Sequence, residues 1–529
     1  TTHMKLRMPL SGSRQRTNTS RTIQKHIPER LATTTSKSHN GARTISSSQK
    51  ILRPKHSAKR ISNYLVLTTG ILFICGSCRA LFGMGIFSSF LHKSKKSSSS
   101  VVASSFQQTS LSSGKAAVAR TSATATNNCF SRPETMDPTE RQNLEDRLKR
   151  ALWSFFAGDA LSSPTHWYYG GKSQIVSEYG HPIQDYTKPN RHLSGSILNK
   201  SDPNGGGRAK SAFFGGGGAA TKDVTIIGDV INHGKLPFWS PGKSYHYHLT
   251  LQKGELTLEA SLARVLMKSI VANNGRFDAD HFRTAYVEFM QTPGSHNDTY
   301  ASTCHRMFFA NLIFRKIDPK DCPDNDQHNV DTIDGLVLPT IAALANLGSG
   351  VGESSASATA CAGVTRRSSV LGEVAGLWSK VVLAAFGDDE RDESSSSSSC
   401  LSDALSAFAE QTIRRRPNAR VKESSTMSAC YLGQSLPGLV DMVAKYSDGS
   451  SNRAGGERVW EGLLANANVG GENVHRGSIM GAVLGARASD PLPAKLIDGL
   501  YAKDDLEREI DAFVKAVLTR PQRKRQEKK

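Results

Sequence analysis

Cysteine is scarce in this sequence and follows no pairing pattern. Eight cysteines are scattered over 529 residues. Only Cys75 and Cys78 lie close together, and they lack the second pair that a four-cysteine zinc site would need. We therefore expect no disulfide framework and no cysteine-based zinc site, and we expect a reducing compartment for the mature protein.

Strand-like alternation of apolar and polar residues is also scarce, and the segment 221–231 is the one modest strand candidate. Apolar residues instead recur at helical spacing from about residue 139 onward. The clearer predicted helices cover residues 257–273, 277–291, 298–314, 332–347, 370–386, 401–416, 430–446, 475–487 and 503–518. The pattern excludes a sheet-based fold and predicts one all-α domain over residues 136–518.

Acidic residues are nearly absent from the first 60 residues. This stretch holds fourteen lysines and arginines against one acid, Glu29, so about +13 of the net charge of +20 lies there. The basic residues stand among serines and threonines with few aromatic side chains, which is typical of disordered or targeting tails. We therefore expect no specific nucleic-acid partner. The predicted parts outside the domain are a basic tail at 1–63, a hydrophobic segment at 64–92, a Ser/Thr-rich linker at 93–135 and a basic tail at 519–529.

One long apolar run occurs outside the predicted domain, at residues 64–91. Its first half has the length of a signal-peptide core, and small residues follow it. The whole run is just long enough to span a bilayer, but Arg79 near its middle costs roughly 2.5–3.5 kcal/mol there. We predict a targeting segment, and hence organelle targeting or membrane association. The sequence leaves open whether the segment is cleaved or retained.

Low-complexity stretches interrupt the predicted helices. Glycines cluster between residues 205 and 218, and residues 348–365 and 388–400 are rich in small side chains and serine. Such compositions are typical of surface insertions without fixed structure, so we predict disordered insertions at these places.

The most informative stretch is residues 466–487, where a Gly-Gly turn precedes a polar first turn and then an apolar helix. The free N–H groups at such a helix start favour an anionic ligand. Glu472 follows the turn directly, and we expect its side chain at the rim of a cleft. Three glycines then repeat every fourth residue, which places them on one helix face and would let another backbone pack closely. They are Gly477, Gly481 and Gly485.

Further polar clusters lie at the edges of apolar helices, around residues 159–168, 255–259, 293–306 and 326–334. In the third cluster, Ser295 or Asn297 is predicted to cap the following helix. A cap needs one such residue, so the additional polar side chains indicate that the clusters converge on one cleft.

The fourth cluster contains two carboxylates on one predicted helix face, because Asp331 and Asp334 lie three residues apart. Carboxylates that lead into an apolar core are costly unless a cation or hydrogen bonds meet them. We therefore expect such partners for this pair.

Two of these stretches resemble the ADP-ribosylglycohydrolase family. Residues 158–161, Gly-Asp-Ala-Leu, resemble the family's Gly-Asp-Ala-Leu-Gly segment, and residues 470–474, Gly-Gly-Glu-Asn-Val, resemble its Gly-Gly-Asp-Thr-Asp signature. Their order and spacing fit, and the resemblance covers roughly residues 136–518. It implies an all-α, bundle-like fold with two Mg²⁺ ions. It also implies hydrolysis of the glycosidic bond that joins ADP-ribose to a side chain or a small acceptor.

The family's metal motifs are matched only in part, which implies a divergent member with an altered metal site. The Thr-Asp-Asp-Thr motif corresponds to residues 254–257, where Leu256 replaces one acid. The Gly-Gly-Asp-Thr-Asp motif corresponds to residues 470–474, where Val474 replaces one acid. The family's Asn-Gly-x-x-Met-Arg substrate loop corresponds to residues 329–334, without the arginine. Mg²⁺ would therefore have fewer ligands than in the family. The sequence leaves open whether the chain holds one ion, recruits Asp159, Asp331 or Asp334 as a further ligand, or holds none.

Together, the motifs and clusters give a predicted site. The predicted catalytic residues are Asp159, Asp331 and Glu472. The predicted metal ligands are Glu255, Thr257, Glu472 and Asn473. The predicted substrate-binding residues are Ser295, His296, Asn297, Asp298, His328, Asn329, Asp334, Gly470, Gly471, His475 and Arg476. The histidines among them would also suit a softer ion or direct acid–base chemistry.

Two functions follow from the resemblance. The first is hydrolysis of a glycosidic bond of ADP-ribose or a related nucleotide-sugar conjugate, with an ADP-ribose-like molecule or an ADP-ribosylated substrate as partner. The second is a non-catalytic role, either binding of a nucleotide-sugar ligand or a structural role like that of the family's crystallin relatives. The sequence leaves the substrate, the linkage and the oligomeric state open.

Overall fold

A computed structural model describes residues 136–205, 224–323, 329–387, 399–447 and 455–521. Within these residues there are fourteen α-helices and no β-strand, so the predicted all-α fold is confirmed. The predicted segments at 1–63, 64–92 and 93–135 lie outside the described residues, as does most of the tail at 519–529.

The helices form in this order along the chain. They are α1 Pro138–Ser162, α2 Gly171–Tyr179, α3 Leu258–Ala272, α4 Ala279–Gln291, α5 Thr303–Ile313, α6 Val337–Leu344, α7 Val351–Thr365, α8 Ser369–Ala384, α9 Cys400–Thr412, α10 Leu432–Ser447, α11 Gly455–Val469, α12 Val474–Arg487, α13 Ala494–Asp498 and α14 Lys503–Leu518.

Helix α1 begins where local sequence signals place it. The Asp137 side chain accepts hydrogen bonds from the N–H groups of Thr139 and Glu140, and the Glu140 carboxylate accepts one from the Asp137 N–H. This reciprocal capping satisfies helix-start donors, and Pro138 suits the first turn because it has no N–H to satisfy. The second half of α1 is completely buried, so α1 forms the centre of the domain.

The glycine face of α12 packs directly on the backbone of α1. A Cβ atom at any of the three glycines would lie closer than 3.0 Å to a carbonyl oxygen of α1. The opposed pairs are Gly477 with Gly158, Gly481 with Ser154, and Gly485 with Arg150. The predicted close approach of another backbone is therefore confirmed.

Replacing Gly481 with alanine is expected to destabilise the domain by about 1–3 kcal/mol or more, because the new methyl group overlaps a backbone oxygen that cannot move aside. A matched control is Gly363→Ala in α7, where nothing lies within 4 Å of the new Cβ. That change should stabilise the helix by about 0.5–1 kcal/mol. Urea unfolding of both variants measures the difference, and equal stabilities would contradict the packing described.

The segment 348–365 was predicted to be a disordered insertion, and this is wrong, because it contains helix α7. Its small side chains are contact residues. The Ser355 hydroxyl donates to the Gly376 carbonyl, and the Thr359 hydroxyl donates to the Gly372 carbonyl, both in α8. Small residues on both helices let them approach closely, so the low complexity reflects helix packing rather than a loop.

Three other sequence predictions need correction. The strand candidate at 221–231 forms no strand in its described part, where Ile226–Val230 makes a short π-type turn with Gly228 at φ 106°. Neither Ser295 nor Asn297 caps the next helix, because α5 starts later, after Ser302. The region 332–347 begins as a separate short turn, Ile333–Leu336, before α6. At 388–400, residues 388–398 lie outside the described residues and Cys400 starts α9.

Five cysteines lie in the part of the chain that the structure describes. Cys304, Cys322, Cys361 and Cys430 are free. Cys400 is disulfide-bonded, and its partner is none of these four.

The membrane prediction concerned the segment 64–91, which lies outside the described residues. Among the helices that the structure describes, none is long and apolar enough to cross a bilayer.

Candidate functional site

A double-glycine turn places the acidic residue that precedes α12. Gly470 and Gly471 both have left-handed backbone conformations, with φ of 71° and 61°, which glycine adopts without strain. The Gly471 carbonyl accepts a hydrogen bond from the Trp167 N–H at 2.8 Å, and the Gly471 N–H donates to the Tyr168 carbonyl at 3.2 Å. The turn therefore holds Glu472 against the loop that follows α1.

Glu472 is fully buried, so the expected position at a cleft rim is wrong. Its Oε2 atom accepts a 2.6 Å hydrogen bond from the Trp167 indole N–H and lies 3.2 Å from Nε2 of His166. Its Oε1 atom contacts Nδ1 of His475. The carboxylate is thus surrounded by two imidazoles and an indole, and protein groups meet both of its oxygens.

A chain of imidazoles continues from Glu472 to a second carboxylate. Nδ1 of His166 lies 2.7 Å from Nε2 of His248. Nδ1 of His248 lies 2.8 Å from Oδ1 of Asp298. The other oxygen of Asp298 accepts a 2.8 Å hydrogen bond from the Leu258 N–H at the start of α3. Asp298 therefore caps a helix other than the one that follows it in sequence.

Asp159 meets the same helix start from α1. Its carboxylate accepts hydrogen bonds from the Thr257 N–H at 2.8 Å and from the Thr257 hydroxyl at 2.6 Å. Through the adjoining residues Thr257 and Leu258, Asp159 is linked to Asp298 and onward to Glu472. One buried network, which we call the histidine–carboxylate network, thus joins Asp159, His166, His248, Thr257, Asp298, Glu472 and His475.

The network shifts the pKa values of two of its carboxyl groups in opposite directions. Burial raises the pKa of Asp159 to about 6, against the lowering effect of its hydrogen bonds from Thr257. Burial also disfavours the charged form of Glu472, but the imidazoles of His475 and His166 outweigh it and hold the Glu472 pKa well below its usual range. Burial opposes the charge on His475 as well, yet the adjacent Glu472 carboxylate raises the His475 pKa to about 9. Glu472 and His475 therefore form a buried ion pair at neutral pH.

Trp167 covers the network on its half-exposed side. Its ring stacks on the His166 ring at a centroid distance of 4.1 Å and contacts Tyr247 and Tyr300 edge-on. The Trp167 backbone has φ 61°, which is rare for a bulky residue and costs energy. The surrounding contacts impose this conformation, and it directs the indole N–H at Glu472.

Glu255 and Asn297 lie beside the network without joining its contacts. The Glu255 carboxylate accepts hydrogen bonds from the Gln252 N–H at 2.7 Å and from the Asn297 side-chain amide at 3.1 Å. The Asn297 side-chain oxygen accepts from the Lys235 ammonium at 2.9 Å. Because Asn297 precedes Asp298, this polar group borders the network at its Asp298 end.

Asn473 and Arg476 lie behind Glu472 and are fully buried. The Asn473 amide donates to the Thr165 hydroxyl at 2.8 Å, while its side-chain oxygen has no hydrogen-bond donor among the described residues. Arg476 donates to the Asn466 side chain at 2.7 Å and to the Thr426 carbonyl at 3.1 Å. In this structure Arg476 supports the loop that packs against the Gly-Gly turn.

The segment 329–334 is held by other partners. The two carboxylate oxygens of Asp334 accept a bidentate pair of hydrogen bonds from Arg366, at 2.9 and 2.6 Å. Asp331 accepts from the Ser368 hydroxyl, and the Asn329 side chain accepts from the Tyr431 hydroxyl at 2.6 Å. The partners expected for the two carboxylates are thus an internal cation, Arg366, and a hydroxyl group.

Three further residues that were predicted to bind substrate lie in a partly exposed loop or outside the described residues. Ser295 and His296 are half-buried. The His296 ring stacks on Phe289, and its Nδ1 atom has no hydrogen-bond partner in the part of the chain that is described. His328 lies outside the described residues.

Two important residues were missed at the sequence level. His248 belongs to the alternating Tyr-His-Tyr-His at 245–248, a pattern that could have drawn attention to it. Arg366 directly follows the segment that was wrongly predicted to be an insertion, so no core contact was expected of it. His166 and Trp167 were noticed as part of a polar cluster, but neither was given a role.

The sequence model of the ADP-ribosylglycohydrolase family matches residues 140–526. Among solved structures, a chain described as an "ADP-ribosylglycohydrolase-related protein complex" is similar at 14% identity and a TM-score of 0.38, covering 71% of this chain and 99% of that chain. None of the curated proteins compared with the chain matches it. The family match spans most of the described residues.

Proposed function

The chain belongs to the ADP-ribosylglycohydrolase family, and from this premise we propose that it hydrolyses a glycosidic bond of ADP-ribose or a related nucleotide-sugar conjugate. The observation that carries the proposal is the histidine–carboxylate network. It connects Asp159 at the end of α1 with Glu472 and His475 at the start of α12 through unbroken contacts. Both ends coincide with the two stretches that resemble the family's motifs.

Hydrolysis of a glycosidic bond needs one carboxyl group that donates a proton to the leaving group. It also needs a second group that orients or deprotonates the attacking water. Asp159 is the candidate donor to the leaving group, because burial favours its protonated form. Glu472 is the candidate for orienting or deprotonating water, because the neighbouring imidazoles keep it ionised. Carboxyl groups whose environments drive their pKa values apart are typical of such acid–base pairs.

A pair of Mg²⁺ ions, as the family resemblance implies, does not fit the residues present. Leu256 and Val474 are buried apolar side chains where the family has acids. The Thr257 hydroxyl donates to Asp159, and Glu255 is bound by Gln252 and Asn297. Two Mg²⁺ ions need several oxygen ligands in near-octahedral geometry, and this set is too small. The proposal therefore assigns no step to a magnesium pair.

One observation favours the alternative of ligand binding without hydrolysis. Protein groups already contact both oxygens of Glu472, and its side chain is inaccessible beneath Trp167. A site of this kind could bind an ADP-ribose-like ligand at its surface and leave the carboxylate untouched.

Turnover of a defined substrate panel separates these two functions. Full-length protein is incubated with ADP-ribose conjugates that carry an ester, an O-glycosidic or a guanidine linkage, and released ADP-ribose is quantified by chromatography. If the protein is a hydrolase of this kind, ADP-ribose is expected to be released from conjugates of at least one linkage class. Calorimetric binding of ADP-ribose without turnover of any conjugate would overturn the hydrolytic function in favour of the binding function.

A further inference from the structure

Three side chains of the network place ligand atoms around one point. The ligand atoms of His166, Glu472 and His475 all lie within 4.8 Å of one another, and all three residues are buried. Nε2 of His166 and Oε2 of Glu472 are 3.2 Å apart. A tetrahedral zinc site has an edge of about 3.3 Å between ligand atoms, since its Zn–N and Zn–O bonds are about 2.0–2.2 Å long.

Contacts on its other side fix the direction in which His166 presents Nε2. Nδ1 of His166 lies 2.7 Å from Nε2 of His248, so the ring is held from behind. Nε2 then faces the Glu472 carboxylate at 3.2 Å, which is close to the separation of two ligand atoms on one small cation.

The rest of the network has the form of an outer shell for such a cation. A histidine that binds a metal generally uses its second ring nitrogen to donate to a carboxylate, a carbonyl or water, which fixes its orientation. Here the second nitrogen of His166 contacts His248, which in turn contacts Asp298. Asp298 is itself held by the Leu258 and Tyr300 N–H groups.

We propose that His166, Glu472 and His475 bind one divalent transition-metal ion of the zinc class, with one buried water molecule in the fourth position. Two imidazoles and one carboxylate suit Zn²⁺ or Co²⁺, whereas Mg²⁺ prefers oxygen ligands. The ligands are Nε2 of His166, Nδ1 of His475 and a carboxylate oxygen of Glu472, and the ion displaces the proton by which Nδ1 of His475 contacts Glu472 in the ion pair. His248 and Asp298 are positioning residues. The site shares Glu472 with the proposed hydrolysis, but metal binding needs no substrate and is measured without one.

Metal binding is tested directly on the full-length protein after removal of metals with a chelator. Equilibrium dialysis against Zn²⁺ with elemental analysis should give one Zn²⁺ per chain, and excess Mg²⁺ should not displace it. Co²⁺ should produce the visible absorption of a tetrahedral site with nitrogen and oxygen ligands. Absence of stoichiometric Zn²⁺, displacement by Mg²⁺, or a thiolate-to-cobalt absorption band would each overturn the proposal.

Variants locate the ion in the network. His166→Gln and His475→Gln should each abolish stoichiometric binding, while His192→Gln, at an exposed histidine, should leave it unchanged. Asp298→Asn should weaken Zn²⁺ binding about 10–100-fold, as expected for an outer-shell partner. Circular dichroism of the metal-free variants establishes whether they fold. If a variant does not fold, the Co²⁺ spectrum of the unmodified protein still shows which types of ligand bind the ion. Full Zn²⁺ affinity in both folded ligand variants would refute the assignment.

Discussion

Replacing Glu472 with glutamine is expected to lower kcat/KM for ADP-ribose conjugates by about 10²–10⁴-fold, the range in which a positioned acid–base group contributes. The substitution keeps the shape of the side chain and an oxygen that can accept the Trp167 indole N–H. It removes the negative charge that faces His166 and His475. Unlike an arginine, His475 can lose its proton when the neighbouring charge is removed, so no unpaired charge stays buried. The loss should therefore appear in turnover while the fold persists.

The matched control is Glu457→Gln, which makes the same chemical change at an exposed residue of α11 paired with Lys495 at 3.5 Å. Exposed pairs contribute little, so this variant should retain full activity and stability. Alanine is less informative at residue 472, because it would leave the buried His475 and Trp167 donors without their acceptor. Undiminished turnover by Glu472→Gln would remove this residue from the proposed chemistry.

The second large effect is expected at the buried ion pair between Asp334 and Arg366. Asp334→Asn should destabilise the domain by about 3–5 kcal/mol, because it leaves the guanidinium of Arg366 buried without a counter-charge. Combining Asp334→Leu with Arg366→Met should recover much of this loss, since neither buried charge then remains. Urea unfolding of Asp334→Leu, Arg366→Met and the double variant gives the coupling free energy directly.

A nearby surface pair provides the control for this experiment. Asp321 and Arg367 are about half exposed and 3.6 Å apart. Asp321→Asn should change the free energy of unfolding by only about 0–1 kcal/mol. Equal losses in Asp334→Asn and Asp321→Asn would contradict the importance of burial for the first pair.

The buried pair of Asp334 and Arg366 also affects how the stability of the domain depends on pH. Burial disfavours ionised Asp334, but the Arg366 charge outweighs it and depresses the Asp334 pKa. A depressed carboxyl pKa contributes stability that is fully present well above the unfolded-state pKa of about 3.9. This contribution begins to decrease as pH approaches that value and is lost as pH falls on through the depressed native-state pKa. Asp334→Asn should therefore show a smaller decrease in stability between pH 6 and pH 3 than the unmodified protein.

The sequence predicted the fold well where periodicity and backbone chemistry determine it. The predictions of the helix after the Gly-Gly turn and of its glycine face agree with the structure. Most predicted helix bounds agree as well, because all of these features depend on the local spacing of residues. Helix α7 was missed because small residues read as low complexity when the opposing glycines of α8 are unknown. Composition alone does not separate a closely packed helix from a loop.

The site was predictable in its parts but not in its connections. Asp159, Thr257, Asp298, Glu472 and His475 were selected from the sequence, and the structure links them. The linking histidine, His248, lies in a region without helical periodicity and was not selected. Asp298 was expected at the start of its own helix, whereas its carboxylate caps α3. A hydrogen bond across the fold depends on tertiary packing that residue spacing does not encode.

The glycine contacts between α1 and α12 also fix the register of the site. Gly158 in α1 lies opposite Gly477 in α12. Gly158 directly precedes Asp159, and Gly477 follows His475 by two residues. The separation of the two acidic motifs is thus set by backbone against backbone, with no side chain between them that could adjust it. A residue inserted between Gly477 and Gly481 would turn the rest of α12 by about 100° and direct side chains at α1, given 3.6 residues per helical turn. The two helices therefore tolerate an exchange of similar side chains away from the glycine contacts far better than any change of length.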